Sequence, residues 1–268
     1  MSPVTTRANH EADSNNLSTI EHYRLLIHFT PKMLRGDLWR GEGGGEYLQV
    51  QEHYARLVND EVSEFLSLRN KNVLDIGGHS GVFCRVFSEE FGAKLAINLE
   101  PFFRYDKQLH WPDRVRGVAQ ELPFGDDQFD LVFCREVLEH VQPPGCLQRC
   151  VNEMYRLTKK GGLCYISIPP WHAPFAGHAC MPFHYLPFRA ARRLALLFYK
   201  TPFMPLDVTS WEEYGISPIT FKKMRRLIAA SGFRVLATKD HHFRLHFLTR
   251  IPLAREVAVP VVVFILRK

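Results

Sequence analysis

Val73-Leu74-Asp75-Ile76-Gly77-Gly78-His79-Ser80-Gly81 is the stretch that decides the fold. Val73, Leu74 and Ile76 read as a short buried strand, with Asp75 near its end. The glycines mark a sharp turn. Val82, Val86 and Phe87 then recur at helical spacing, so a helix is expected from about Ser80. Glycine lets a backbone turn tightly and approach a ligand because no Cβ intervenes. Free N–H groups at the start of the following helix can face polar ligand groups. The spacing is not that of the G-x-G-x-x-G dinucleotide fingerprint, because His79 and Val82 stand where two of its glycines would be.

Working outward, the chain alternates strand and helix patterns, which indicates an α/β fold. Upstream, Tyr47, Val50, Tyr54, Leu57, Val58, Val62, Phe65 and Leu66 form one apolar stripe on a helix from Tyr47 to Leu68. Downstream, the first helix runs to about Phe91 and Gly92 stops it; strands are then expected over Leu95–Leu99, Arg114–Ala119 and Phe129–Cys134. Pro143-Pro144 opens a helix to Leu157, and Lys159-Lys160-Gly161-Gly162 stops it before a strand over Leu163–Ile168. A helix over Ile219–Ala230 with Ser217 or Thr220 near its cap, a strand to Ala237 and a last strand over Val261–Leu266 complete the pattern. Glu100 lies 19 positions after Gly81, at the carboxyl end of the second strand. An acidic side chain there can accept both hydroxyl hydrogens of a ribose, which implies an intact 2′,3′-diol.

The 268 residues suffice for one such domain with decoration. None of the six cysteines forms a C-x-x-C pair, and several sit in apolar runs, so reduced buried thiols are expected rather than a zinc site. The first 18 residues are polar and lack a signal-peptide core. The longest apolar run, Val257–Leu266, is too short to span a bilayer. The expected location is the cytoplasm. Residues 171–268 hold 15 Lys and Arg against 5 Asp and Glu, whereas residues 1–170 hold 19 against 23. Such a basic third can attract an anionic acceptor, a lipid surface or nucleic acid, or be a solvated face.

Several motifs then occur in order: Asp75 to Gly81, Leu122-Pro123-Phe124 with Phe129-Asp130, Val137-Leu138-Glu139-His140-Val141, and Lys159 to Gly162 before a strand. With these, residues 50–170 resemble a class I S-adenosylmethionine-dependent methyltransferase of the type 11 group. The resemblance implies a Rossmann-like sheet of seven mostly parallel strands with helices on both faces. Its last strand would run antiparallel between the fifth and sixth, and a lid insertion would follow strand five. It implies S-adenosylmethionine as cofactor. Asp75, Gly77, Gly78, His79, Ser80 and Gly81 would hold the methionine end, Glu100 and Pro101 the ribose, and Ala119 and Gln120 the adenine. Cys134, Arg135 and Glu136 would flank the sulfonium. Two positions depart from the family pattern: His79 replaces the middle glycine, and Val118 replaces an acid that often precedes Ala119.

The resemblance fades after Pro170. Residues 47–268 are taken as the catalytic domain, residues 170–216 as its lid, and residues 1–46 as a partly disordered arm. The lid is rich in His, Pro and aromatics, and His172, His178 and His184 are candidate bases for an acceptor hydroxyl. His140 is a fourth. No metal site is expected, since His172, His178 and His184 lack carboxylate or Cys partners at familiar spacing, Cys180 excepted. Residues 189–200 form a basic amphipathic helix suited either to a membrane surface on the cytoplasmic side or to packing as a lid element. The leading expectation is O-methylation of a small molecule, sugar or lipid-linked glycan. The alternatives are N- or C-methylation, or a binding protein that has lost turnover. Nucleic acid is not the expected acceptor, because Cys134-Arg135-Glu136-Val137 occupies the place of an Asn-Pro-Pro-Tyr amine motif.

Overall fold

The computed structural model describes residues 22–25, 27–28, 45–101, 111–174, 176–199 and 207–268. The expected disordered segment 1–18 and the glycine loop before Gly45 lie outside the described residues, as does most of 20–33. Seven strands form one sheet in the order β3-β2-β1-β4-β5-β7-β6. They are β1 Asn72–Ile76, β2 Leu95–Glu100, β3 Arg114–Arg116, β4 Phe129–Arg135, β5 Thr158–Ile168, β6 Arg234–Asp240 and β7 Val262–Arg267. The first five are parallel, and β7 runs antiparallel between β5 and β6, as expected.

Helices cover both faces because the central strands β1, β4, β5 and β7 are apolar on both. Along β4, Leu131 and Phe133 enter one layer while Val132 and Cys134 enter the other. Val58 and Val62 of α1 (Gly45–Ser63) and Val86 and Phe87 of α2 (Val82–Glu89) close the first layer. Val151 and Met154 of α3 (Leu147–Leu157) and Met224 and Ile228 of α5 (Phe221–Ser231) close the second.

Local chemistry explains where boundaries differ from expectation. The helix after the glycine turn starts at Val82 rather than Ser80, since Gly81 takes φ +80° as its N-cap. After Pro143 a 3-10 turn, Pro144–Cys146, precedes α3. The Lys-Lys-Gly-Gly segment does not merely stop that helix. It belongs to β5, which begins at Thr158 opposite Phe129, with a register shift before Leu163. Gly161 takes φ +76° there, and a Cβ on Gly162 would lie 3.0 Å from the Asp130 carbonyl oxygen. The third strand ends at Arg116, and β6 extends to Asp240.

After β5 the chain leaves the sheet. Residues 171–174 and 176–185 form turns with short 3-10 segments, followed by α4 (Phe188–Tyr199). Cys180, Phe188, Ala191 and Ala195 make a small separate core with Trp211 and Tyr214 against it. Both ends of this insertion are pinned. The Trp171 N–H donates to the Ile219 carbonyl at 2.8 Å, and the Ser217 N–H donates to the Glu139 carbonyl at 2.6 Å. Last in the chain's helical set is α6, Ala254–Val257.

The carboxyl ends of β1, β2, β4 and β5 face one edge of the sheet. The strand order reverses between β1 and β4. In open parallel sheets this crevice is where ligands bind.

Candidate functional site

The turn after β1 builds the floor of the crevice. Gly77, His79 and Gly81 all have left-handed backbone, at φ +75°, +48° and +80°. A Cβ at Gly77 would lie 2.4 Å from the Val137 side chain, and at Gly78 it would lie 2.2 Å from an Asp75 carboxylate oxygen. His79 holds the left-handed position without glycine because its peptide is tied on both sides. Its N–H donates to Glu100 Oε1 at 2.5 Å, and its carbonyl accepts from Asn98 Nδ2 at 3.0 Å. The His79 departure therefore leaves the turn intact.

Two carboxylates flank this turn. Asp75 is 2 % exposed, with the Cys84 thiol 3.9 Å from its carboxylate. Burial, then the negative charge of Glu100, push Asp75 up to about 8, against the pull of Arg135. Burial likewise raises Glu100, opposed by the His79 N–H. Asn98 is fully buried beside them, and its Oδ1 has no hydrogen-bond partner among the described residues. Beyond β3, Pro101, Gly117, Val118 and Glu121 border a surface cleft of about 570 Å³. Val118 is 41 % exposed there, while Ala119 packs into the core and Gln120 is half-buried.

The opposite wall comes from the end of β4. The Cys134 side chain points into the core, so only its backbone is available to the crevice. The Arg135 guanidinium lies over the Tyr54 ring at 4.7 Å and pairs with Glu136 at 2.8 Å. Glu136 takes φ +54° and donates its N–H to the Ser167 carbonyl. Non-glycine residues in this region are strained and concentrate at functional sites. A 3-10 turn, Leu138–His140, follows. Glu139 is 2 % exposed, and neither carboxylate oxygen has a hydrogen-bond partner among the described residues. Burial and then Glu136 hold it well above the ordinary carboxyl range.

Of the four candidate bases, the fold brings two together. His140 Nε2 and His178 Nε2 are 3.1 Å apart. Desolvation, then His178, push His140 down to about 4, and desolvation also lowers His178. His172 is exposed, and its backbone carbonyl accepts from the Tyr185 hydroxyl. His184 is buried against Trp171, bonded through Nε2 to the Trp171 carbonyl at 3.0 Å. It fills the space beside Gly177, as a packing residue of the lid. Sequence reasoning missed Asn98, Val137 and Glu139. Their signal was a polar residue inside the apolar run of β2, and a carboxylate inside the motif that also carries His140.

Comparison with known proteins settles the family. Residues 50–238 match the methyltransferase-domain family. A Mycolicibacterium gilvum protein described as an uncharacterized methyltransferase is 31 % identical over 209 residues, covering 75 % of this chain and 78 % of its own. A Mycobacteroides abscessus protein with the same description is 28 % identical, covering 82 % and 86 %. The chain is a class I S-adenosylmethionine-dependent methyltransferase. The family match carries the resemblance beyond Pro170, across the insertion after β5 and into β6. In fold, the methyltransferase is similar to a Haloferax volcanii protein solved with the Trm112 methyltransferase activator, with TM-score 0.53 and 15 % identity over 87 % of this chain and 96 % of that one. An S-adenosylmethionine-dependent methyltransferase from Mesorhizobium loti gives TM-score 0.50 and 16 % identity over 78 % and 96 %. Among the described residues, no helix is long and apolar enough to cross a membrane.

The crevice of the methyltransferase fits this cofactor on its own terms. Asp75, buried beside little besides a thiol, suits an ammonium group. Glu100 at the end of β2 and the unpartnered Asn98 Oδ1 suit hydroxyl and amine donors. Glycines at 77, 78 and 81 let the turn pack closely against Val137, Asp75 and Trp111.

Proposed function

We propose that the enzyme methylates a hydroxyl oxygen on a small molecule, a sugar or a lipid-linked glycan. The observation that carries this reading is the meeting of His140 and His178 beside the glycine turn. Val137, three residues before His140, packs directly on Gly77. An alcohol needs help in losing its proton before it can attack a methyl group, whereas an amine need only arrive unprotonated. Two imidazoles that converge where the end of β4 meets the insertion after β5 suit the first need. Bound S-adenosylmethionine supplies the methyl on a sulfonium. The protein orients the two reactants and excludes water.

In this reading residues 170–216 cover the acceptor within a catalytic domain of residues 47–268, and residues 1–46 form an arm. His22, in the described part of that arm, lies 3.2 Å from His53 of α1 and bonds to the His242 carbonyl. On α4, Leu197 and Phe198 are 72 % and 65 % exposed, with Arg189 and Arg193 also exposed on the helix. That surface suits contact with an anionic membrane and a lipid-linked acceptor on its cytoplasmic side.

The test offers labelled-methyl S-adenosylmethionine with a panel of hydroxylated acceptors, including lipid-linked sugars in anionic vesicles. Methyl ethers are the expected products, with the protein sedimenting with the vesicles. Exclusively N- or C-methyl products would overturn the reading.

Glu100 is tested separately. Glu100→Ala removes the acceptor of two ribose hydroxyls and should weaken S-adenosylmethionine binding by about 1.5–3 kcal/mol, on the order of 10- to 150-fold by calorimetry. Unchanged affinity would remove Glu100 from the site.

A further inference from the structure

The hydrogen-bond pattern around the two facing histidines defines their tautomers. His140 Nδ1 lies 3.2 Å from the Gly215 carbonyl oxygen, and His178 Nδ1 lies 3.2 Å from the Ala176 carbonyl oxygen. A carbonyl only accepts, so each Nδ1 carries the ring hydrogen. Both Nε2 atoms of the neutral rings are then bare lone pairs, and these face each other at 3.1 Å. Two lone pairs at that distance repel unless something positive lies between them.

A third donor adjoins them. Ligand atoms of Glu139, His140 and His178 all lie within 4.8 Å of one another. Glu139 is buried at the base of the group, and neither of its oxygens has a hydrogen-bond partner among the described residues. Leaving a buried carboxylate without donors is costly, and a bound cation removes that cost. Glu136 is not counted as a ligand, since it already pairs with Arg135.

We propose that Glu139, His140 and His178 bind one divalent first-row transition-metal ion. Geometry supports it. Zn–N bonds of about 2.0–2.1 Å, at right-angled to tetrahedral ligand angles, hold two nitrogens about 3.0–3.4 Å apart. The observed imidazole spacing falls in that range. Donors on one tetrahedral ion lie at most about 3.4 Å apart, so the carboxylate, now within 4.8 Å of the two nitrogens, reaches the same ion with a shift of up to about 1.4 Å. The outer contacts are those of metal-bound histidines, which donate their second N–H to a carbonyl and so have their rings fixed. Two imidazoles among three donors favour ions of the zinc, cobalt and nickel class over magnesium or calcium. His140 is exposed, so the ion keeps open positions on that side.

The sequence conceals this site. His178 is 38 residues from His140, in the insertion after β5, and no spacing motif links them. The expectation of no metal site rested on spacing alone, and spacing does not show that the insertion folds back onto the 3-10 turn after β4.

The role of the ion rests on the O-methylation reading; its binding does not. Coordination lowers the pKa of a bound hydroxyl, so the two imidazoles help the acceptor lose its proton as ligands of the ion and not as bases. The acceptor oxygen loses its proton to solvent and forms the new C–O bond. The S–CH3 bond breaks, and its electron pair stays on sulfur, turning the sulfonium into a neutral thioether.

The experiment uses the full chain after treatment with a chelator and dialysis. Cobalt(II) is titrated in and followed by visible absorption, with zinc(II) and nickel(II) followed by calorimetry. One equivalent of cobalt is expected, with d–d bands of a low-coordinate nitrogen and oxygen site. His178→Gln and Glu139→Gln should each weaken binding by more than the about 10–100-fold that loss of an outer partner costs. S-adenosylmethionine binding by the same variants reports that they are folded. Absence of metal binding overturns the proposal, and so does binding that both variants retain, which would place the ion elsewhere. The two readings separate cleanly: metal bound with only N-methyl products keeps the site and removes its role, and methyl ethers without metal binding do the reverse.

Discussion

Asp75→Asn is expected to weaken S-adenosylmethionine binding by about 2–5 kcal/mol, roughly 30-fold to several thousand-fold, and to abolish the proton released on binding. The free protein sets up the effect. Asp75 is buried at the end of β1, and burial and the charge of Glu100 push it up to about 8. At pH 7 it is mostly protonated. An ammonium group placed beside it favours the carboxylate, so its pKa falls in the complex and the proton leaves. The sign follows. Affinity rises with pH up to about 8, where half of the free protein has already lost that proton. Above that the cofactor's own α-amino group, of a type that titrates at about 7.7–8.0, loses its charge and affinity falls. Asparagine keeps the shape and removes the rising limb. Calorimetry at pH 7 in two buffers of different ionisation enthalpy counts the protons. The expected difference corresponds to about one proton for the natural protein and none for the variant. Equal heats in both buffers for the natural protein would show that Asp75 does not face the ammonium.

Much of this fold was legible because its strands are buried on both faces. Val73–Ile76, Leu131–Cys134, Leu163–Ile168 and Val261–Leu266 are apolar runs too short for helices, each bounded by turn residues. The errors came where one local signal had two uses. Gly161 and Gly162 read as a helix stop, yet the helix already ends at Leu157 and they let β5 bend beside β4, which only the pairing partner Phe129 reveals. Gly81 looked like a residue inside the turn, and it is also the N-cap of α2.

The two halves of the site differed in legibility for a related reason. The cofactor side lies on consecutive strand ends, so Asp75 and Glu100 could be located by spacing along the chain. The other side is assembled across the chain. His140 is held by Gly215 and faces His178, and Gln142 reaches Ser217 at 3.1 Å. Four histidines of similar standing in the sequence divide in space into a facing pair, an exposed ring and a lid-packing ring. Burial and backbone partners separate them, and neither is written in composition.

Gly77→Ala should be strongly damaging at the turn, costing about 2–5 kcal/mol divided between unfolding free energy and cofactor affinity. Two terms add. An alanine at φ +75° carries a left-handed backbone cost of about 1–2 kcal/mol. Its methyl would also lie 2.4 Å from Val137 Cγ2, and such overpacking costs about 1–3 kcal/mol. Val137 cannot simply move away. It precedes the tightly held Leu138–His140 turn, whose Glu139 carbonyl is bonded to Ser217 and whose His140 side chain is bonded to Gly215. Strain at Gly77 is therefore transmitted to the acceptor side as well as to the cofactor. Two comparisons separate the terms in urea unfolding and calorimetric titration. Gly161→Ala meets φ +76° with no atom within 4 Å, so it isolates the backbone cost and should lose only about 1–2 kcal/mol. Val137→Ala in the Gly77→Ala background opens the notch and should restore the overpacking share while leaving the backbone share. If the double variant is no better than Gly77→Ala alone, the contact between the glycine turn and the β4 motif is not what the turn depends on, and the damage is conformational.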